Sequence, residues 1–101
     1  MDKFALLALM QAKVGKEKDV EDFLKSAQPM AARENGTTTW YAVKLGPQKF
    51  GIFDTFQNEQ GRDAHLTGQI AKALFAKAED LFAKPPQVER LEILAAKAPQ
   101  A

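Results

Sequence analysis

The chain has 101 residues, enough for one domain that can bury roughly two-thirds of its unfolded surface. Its 46% hydrophobic and 27% charged residues are those of an ordinary globular protein, and its net charge of +1 comes from acids and bases scattered together without a Lys/Arg block, which argues against a nucleic-acid-binding face. Cysteine is absent, so disulfides, thiolate nucleophiles and sulfur-ligated metals are excluded.

Phe4 to Met10 is apolar after Lys3. As a signal-peptide core it is at the short limit, with one positive charge before it and no convincing small-residue cleavage site. It is also far too short to cross a bilayer. The expectation is a cytoplasmic protein with no membrane partner, in which the Asn35-Gly36-Thr37 sequon is simply a turn.

Lys3 to Ala12 is a continuous apolar run, as expected of a strand buried on both faces. Val14-Gly15-Lys16 is the turn after it. From Glu17 to Glu34 the apolar residues Val20, Phe23, Leu24, Ala27 and Met30 or Ala31 recur at helical spacing. Acidic Glu17, Asp19, Glu21 and Asp22 suit the positive end of that helix. Pro29 predicts a kink or a division, and Asn35-Gly36 a left-handed cap or turn.

Thr37 to Leu45 is rich in β-branched and aromatic residues and reads as a strand. Gly46-Pro47-Gln48 turns the chain, and Lys49 to Gln57 returns as the second strand of a hairpin. If Leu45 faces Lys49, counting places Trp40 opposite Asp54 and Thr38 opposite Phe56 on one face. Tyr41 and Phe53 pair on the other.

The stretch GIFDTFQNEQGRDAHLTG, residues 51–68, carries the chemistry. Asp54 lies inside an otherwise apolar strand, where a carboxylate is costly without a partner. A polar turn, Gln57 to Gly61, leads into a short helix around Arg62 to Thr67 that bears the one histidine, His65. That imidazole is a candidate partner for Asp54. Backbone donors, Arg90 or a subunit partner are the alternatives. His65 itself could be a cap or packing residue instead of a catalyst. Trp40 and the phenylalanines could be core or subunit interface, and Arg62 simply solvated.

Gly68 breaks the chain, and Gln69 to Ala83 forms an amphipathic helix with Ile70, Leu74, Ala78, Leu81 and Phe82 on one side. Pro85-Pro86 stops it, Gln87 to Leu94 is the last strand, and Ala95 to Ala101 a frayed tail that could reach a partner chain. The order β-α-β-β-α-β predicts a single α+β domain, a ferredoxin-like sandwich with helices on one face of a four-stranded antiparallel sheet. Nothing remains to cover the other, apolar face, so a homodimer packed sheet to sheet is expected.

Four stretches carry a resemblance: AKVGKEKDVEDFL after the first strand, NGTTTWYAV, GIFDTFQNEQGRDAHL and FAKPPQVERLEIL. In order and spacing the chain resembles the antibiotic biosynthesis monooxygenase family of dimeric α+β barrels over nearly its whole length. Asp54 and Ala64-His65-Leu66 match the family's pattern best. The resemblance implies a homodimeric barrel with a small apolar pocket between helices and sheet. It also implies oxygenation of a small electron-rich aromatic, a quinol or anthrone, by O2 with no metal, flavin or other cofactor. Such a substrate, once deprotonated, can itself give an electron to oxygen. The protein need only take a proton, stabilise the anion and exclude water.

His65 is then the expected base, since imidazole titrates near neutrality, and Asp54 its orienting partner. Trp40, Phe53, Phe56 and Phe75 would form a flat apolar cavity, with Tyr41 or Arg62 as a polar contact. Some relatives degrade haem with a tryptophan where this chain has Phe56, and bind it through a histidine that falls near Phe75 here. Lacking both, the chain is not expected to degrade haem. One histidine and no cysteine leave no transition-metal cluster, and no phosphate-cradling glycine loop is present. A non-catalytic ligand-binding or stress-associated dimer is the second expectation. An isomerase or decarboxylase of small acids is the third.

Overall fold

A computed structural model describes residues 2–98. The elements are β1 (Phe4–Gln11), α1 (Glu17–Ala32), β2 (Thr37–Lys44), β3 (Lys49–Phe56), α2 (Glu59–Leu66), α3 (Gln69–Leu81) and β4 (Gln87–Glu92). The four strands form one antiparallel sheet in the order β2-β3-β1-β4, so the fold is the ferredoxin-like α+β sandwich. A short helix, α2, and a longer one, α3, stand where the sequence pattern separates them at Gly68.

Strand alternation decides where the core sits. Ala8 and Met10 of β1 and Phe50 and Ile52 of β3 face the helices and pack with Val20, Phe23 and Leu24 of α1 and Leu74 and Leu81 of α3. The alternate residues point to the other face, which nothing among the described residues covers. There Leu7 and Leu9 are only half-buried, and Tyr41 and Val43 are 56% and 44% exposed. Burial of β1 on both faces, expected from its apolar run, is therefore met on one face only in the single chain.

Other local expectations are corrected. α1 runs undivided through Pro29. The ring removes one backbone donor, at a cost of about 3 kcal/mol, while Ala27 and Ala31 on either side stay buried and carry the helix across. After α1 the chain makes an ordinary turn, with the Thr37 N–H donating to the Glu34 carbonyl at 3.3 Å. Of the two endings expected at Asn35-Gly36 the turn is the one that forms, not the left-handed cap, since Gly15 is the only described residue with positive φ, at 89°.

The hairpin register is as counted at Leu45/Lys49, Trp40/Asp54 and Tyr41/Phe53. It slips between Thr37 and Thr39, so Thr37, not Thr38, pairs with Phe56. A bulge at that point absorbs the extra residue. The polar run 57–61, read as a turn, is already the start of α2, because the Asn58 side chain caps the Gly61 N–H at 2.8 Å. β4 ends at Glu92, short of the exposed Leu94. Residues 95–98 form no helix or strand; the rest of the expected tail, 99–101, lies outside the described residues.

Candidate functional site

The helix-facing side of β3 changes character along its length. Phe50 and Ile52 enter the apolar core, while Asp54, two residues on and 1% exposed, places a carboxylate under α2. α2 folds back over the strand from its Asn58 cap and sets His65, in its last turn, against Phe56, with ring centroids 5.3 Å apart. The loop after α1 closes on this pair because two glycines touch. A Cβ on Gly36 would lie 2.8 Å from the Gly61 Cα, and one on Gly61 would lie 2.9 Å from the Gly36 carbonyl oxygen. The Gln57 N–H also donates to that carbonyl at 3.2 Å. This contact delivers Glu34 to the imidazole.

His65 is held at both ring nitrogens. Nδ1 is 2.6 Å from Oε1 of Glu34 and Nε2 is 2.9 Å from Oδ2 of Asp54. The Thr37 hydroxyl donates to the same Glu34 oxygen at 2.7 Å. The second contact is a charge contact more than an aligned hydrogen bond, since the Asp54 oxygen has no well-aimed donor at that distance. Opposite charges at 2.9 Å attract whatever the angle.

Burial opposes the charged imidazolium, but hydrogen bonds and charge from Asp54 and Glu34 outweigh it, and the His65 pKa is raised. Burial pushes the Asp54 carboxyl up as well, only partly offset by His65, with the Glu34 charge adding to the rise.

A cleft of about 440 Å³ opens beside them, between the end of α1, the loop after it and the α2–α3 junction. Met30 and Ala64 give it apolar wall; Arg33, Glu34, Thr37 and His65 give it polar groups. Asp54 lies behind His65 and does not line it. Arg33 has no ion-pair partner among the described residues. Among those residues no group of three ligating side chains is arranged to hold a metal ion.

Of the residues singled out from sequence, His65, Asp54 and Phe56 come together. The rest do not form one aromatic cage. Tyr41 and Phe53 sit on the open face of the sheet because they alternate with Trp40 and Asp54. Phe75 points outward from α3, 53% exposed. Trp40 lines a separate cleft of about 200 Å³ with Gln28 and three threonines, and its buried Nε1 has no partner among the described residues.

Arg62 is neither solvated nor in the cleft. It is buried over the Phe4 ring, donates to the Leu91 carbonyl at 3.3 Å and lies 3.7 Å from Glu59. Arg90 reaches Asp63, not Asp54. Glu34 was the residue hidden from sequence reading. As the last acid of a helical pattern it looks like a solvated end, and only the Gly36–Gly61 approach turns it inward.

No protein-family model matches the chain, and no curated protein matches it. Solved structures do. A candidate antibiotic biosynthesis monooxygenase from Nitrosomonas europaea superposes with a TM-score of 0.82 at 13% identity, over 96% of this chain and 95% of the other. Rv0793 from Mycobacterium tuberculosis also gives 0.82, at 14% identity over 94% and 98%. At those identities the likeness shows the fold. The NE2512 protein of unknown function from Nitrosomonas europaea is 52% identical, with a TM-score of 0.96 over 100% of this chain and 98% of the other. The chain therefore belongs to the same family as NE2512, on the ferredoxin-like fold that it shares with the candidate monooxygenase.

Proposed function

We propose that the protein is a cofactor-independent monooxygenase that deprotonates a small electron-rich aromatic, quinol- or anthrone-like, and lets the anion react directly with O2. The observation that carries this reading is the carboxylate–imidazole–carboxylate chain ending on the wall of a partly apolar cleft. Groups of this kind move protons near neutral pH. Arg33 and the imidazolium supply positive charge for the substrate anion. For an anthrone, loss of a methylene proton gives an anion that passes one electron to O2. The radical pair joins in a C–O bond, and loss of water from the protonated peroxide leaves a carbonyl. One CH2 and one O2 become one C=O and one water. The likeness in fold to candidate monooxygenases supports the same reading.

The working form is a homodimer in the cytoplasm, closed through the open sheet face. Tyr41, Val43 and Leu45 are each exposed on one strand and its turn, beside half-buried Leu7, Leu9 and Phe53. Sedimentation should give a dimer at micromolar concentration, and Val43→Lys should give monomer. A wild-type monomer removes the dimer from the account.

Oxygen uptake with a panel of hydroquinones and anthrones tests the activity. Turnover above the buffer rate with at least one member is expected. Binding without turnover throughout would leave the second reading, a non-catalytic ligand-binding barrel. The engagement of both His65 ring nitrogens favours that alternative.

A further inference from the structure

We propose that Glu34 takes the substrate's proton, through Oε2, and that His65 is a positioning residue that holds this carboxylate at the cleft. The assignment deepens the oxygenase reading and rests on it for its turnover arm. A general base must offer a free lone pair within hydrogen-bond reach of the proton it removes. His65 offers none, because Glu34 occupies one ring nitrogen and Asp54 the other. Asp54 is sealed away, its side chain 2% exposed.

Glu34 divides its two oxygens. Oε1 accepts from Thr37 and contacts His65, whereas Oε2 has no hydrogen-bond partner among the described residues. A Cβ added to Gly68 would lie 3.5 Å from that oxygen, so it points towards the glycine, and Glu34 and Gly68 both line the cleft. The Glu34 side chain is 23% exposed, reachable from the cleft yet fixed through its other oxygen.

In the step, the substrate O–H or C–H bond breaks, its electron pair stays on the substrate, and an O–H bond forms at Oε2. The proton later returns to the peroxide oxygen. Charges around the imidazole suit this exchange. Asp54 faces it from β3 and Glu34 from the loop after α1, while Arg33 lines the cleft. On α2 itself, Arg62 and Asp63 are turned to Glu59 and Arg90. Neutralising Glu34 removes its negative charge from beside the new substrate anion, which Arg33 on the same cleft wall then faces.

The chain has one histidine, so its imidazole nitrogen NMR signals are unambiguous. Wild-type protein near neutral pH should show both ring nitrogens protonated, and Glu34→Gln should move the imidazole titration to lower pH. With a hydroquinone or anthrone that turns over, Glu34→Gln should lose about 10²–10⁴ in kcat with little change in KM. Glu34→Asp, which keeps a carboxylate, should recover part of it.

A neutral wild-type imidazole with one bare nitrogen at neutral pH would overturn the assignment, and so would Glu34→Gln turning over at the wild-type rate. If wild type oxidises no panel member, the oxygenase reading fails. The nitrogen spectra then decide the placement of Glu34 and His65 alone: double protonation lost in Glu34→Gln supports it, a bare nitrogen overturns it.

Discussion

The two ends of β3, on one face of one sheet, follow opposite rules. At the Phe50–Ile52 end the side chains join the apolar cluster of β1, α1 and α3, and the helices close over it. At the Asp54–Phe56 end the strand meets a buried carboxylate, an imidazole and a second carboxylate beside an open cleft. The first end supplies stability by removing apolar surface from water. The second gains little net stability, since desolvating charges offsets most of their attraction. Charge held at core positions beside a cleft is what the proposed proton transfer requires.

Substitutions should separate the two ends. Phe50→Ala removes a ring that is 2% exposed and should cost about 3–5 kcal/mol in urea unfolding, while leaving the His65 nitrogen signals unchanged. Those signals shifting with the core substitution would show that the ends are coupled.

Gly36→Ala should have a smaller effect on stability, about 1–3 kcal/mol, and a larger one on the site. Its Cβ would meet backbone, the Gly61 Cα, so the loop carrying Glu34 must move. The predicted readout is a His65 titration displaced towards the ordinary imidazole value. Unchanged spectra would mean that the glycine contact does not deliver Glu34.

The smallest effect is on pH dependence. The folded pKa of His65 is raised above its usual 6.5, so its contribution to stability is complete below about that pH and is lost as pH rises through the folded value. Asp54 is also raised, from 3.8, so its contribution has the same sign in a lower window. Urea midpoints of wild type should therefore fall on going from pH 6.5 upward more than those of His65→Gln. Parallel curves would contradict the pairing.

Much of this was legible in the sequence, for physical reasons that differ by residue. Period-two patterning and a three-residue turn fixed the hairpin register, and so the Trp40–Asp54 pair. A lone acid in an apolar strand called for a partner, and the His65 contact answers it. Glu34 was illegible because its role depends on a backbone contact between residues 36 and 61, which no local pattern encodes. The bulge at Thr38 is likewise invisible to counting from the turn, and of the two outcomes expected at Pro29, a kink or a division, the division does not occur. The aromatic cage does not form because the counted register itself puts Tyr41 and Phe53 on the face opposite Trp40 and Asp54, and Phe75 points outward from α3.

Proton removal by Glu34 in the cleft can be measured without oxygen. Anthrone deuterated at its methylene carbon should lose deuterium to water under anaerobic conditions faster with wild-type protein than in buffer. Glu34→Gln should return the exchange to the buffer rate. Exchange that stays at the buffer rate with wild type, or remains fast in Glu34→Gln, would contradict the account.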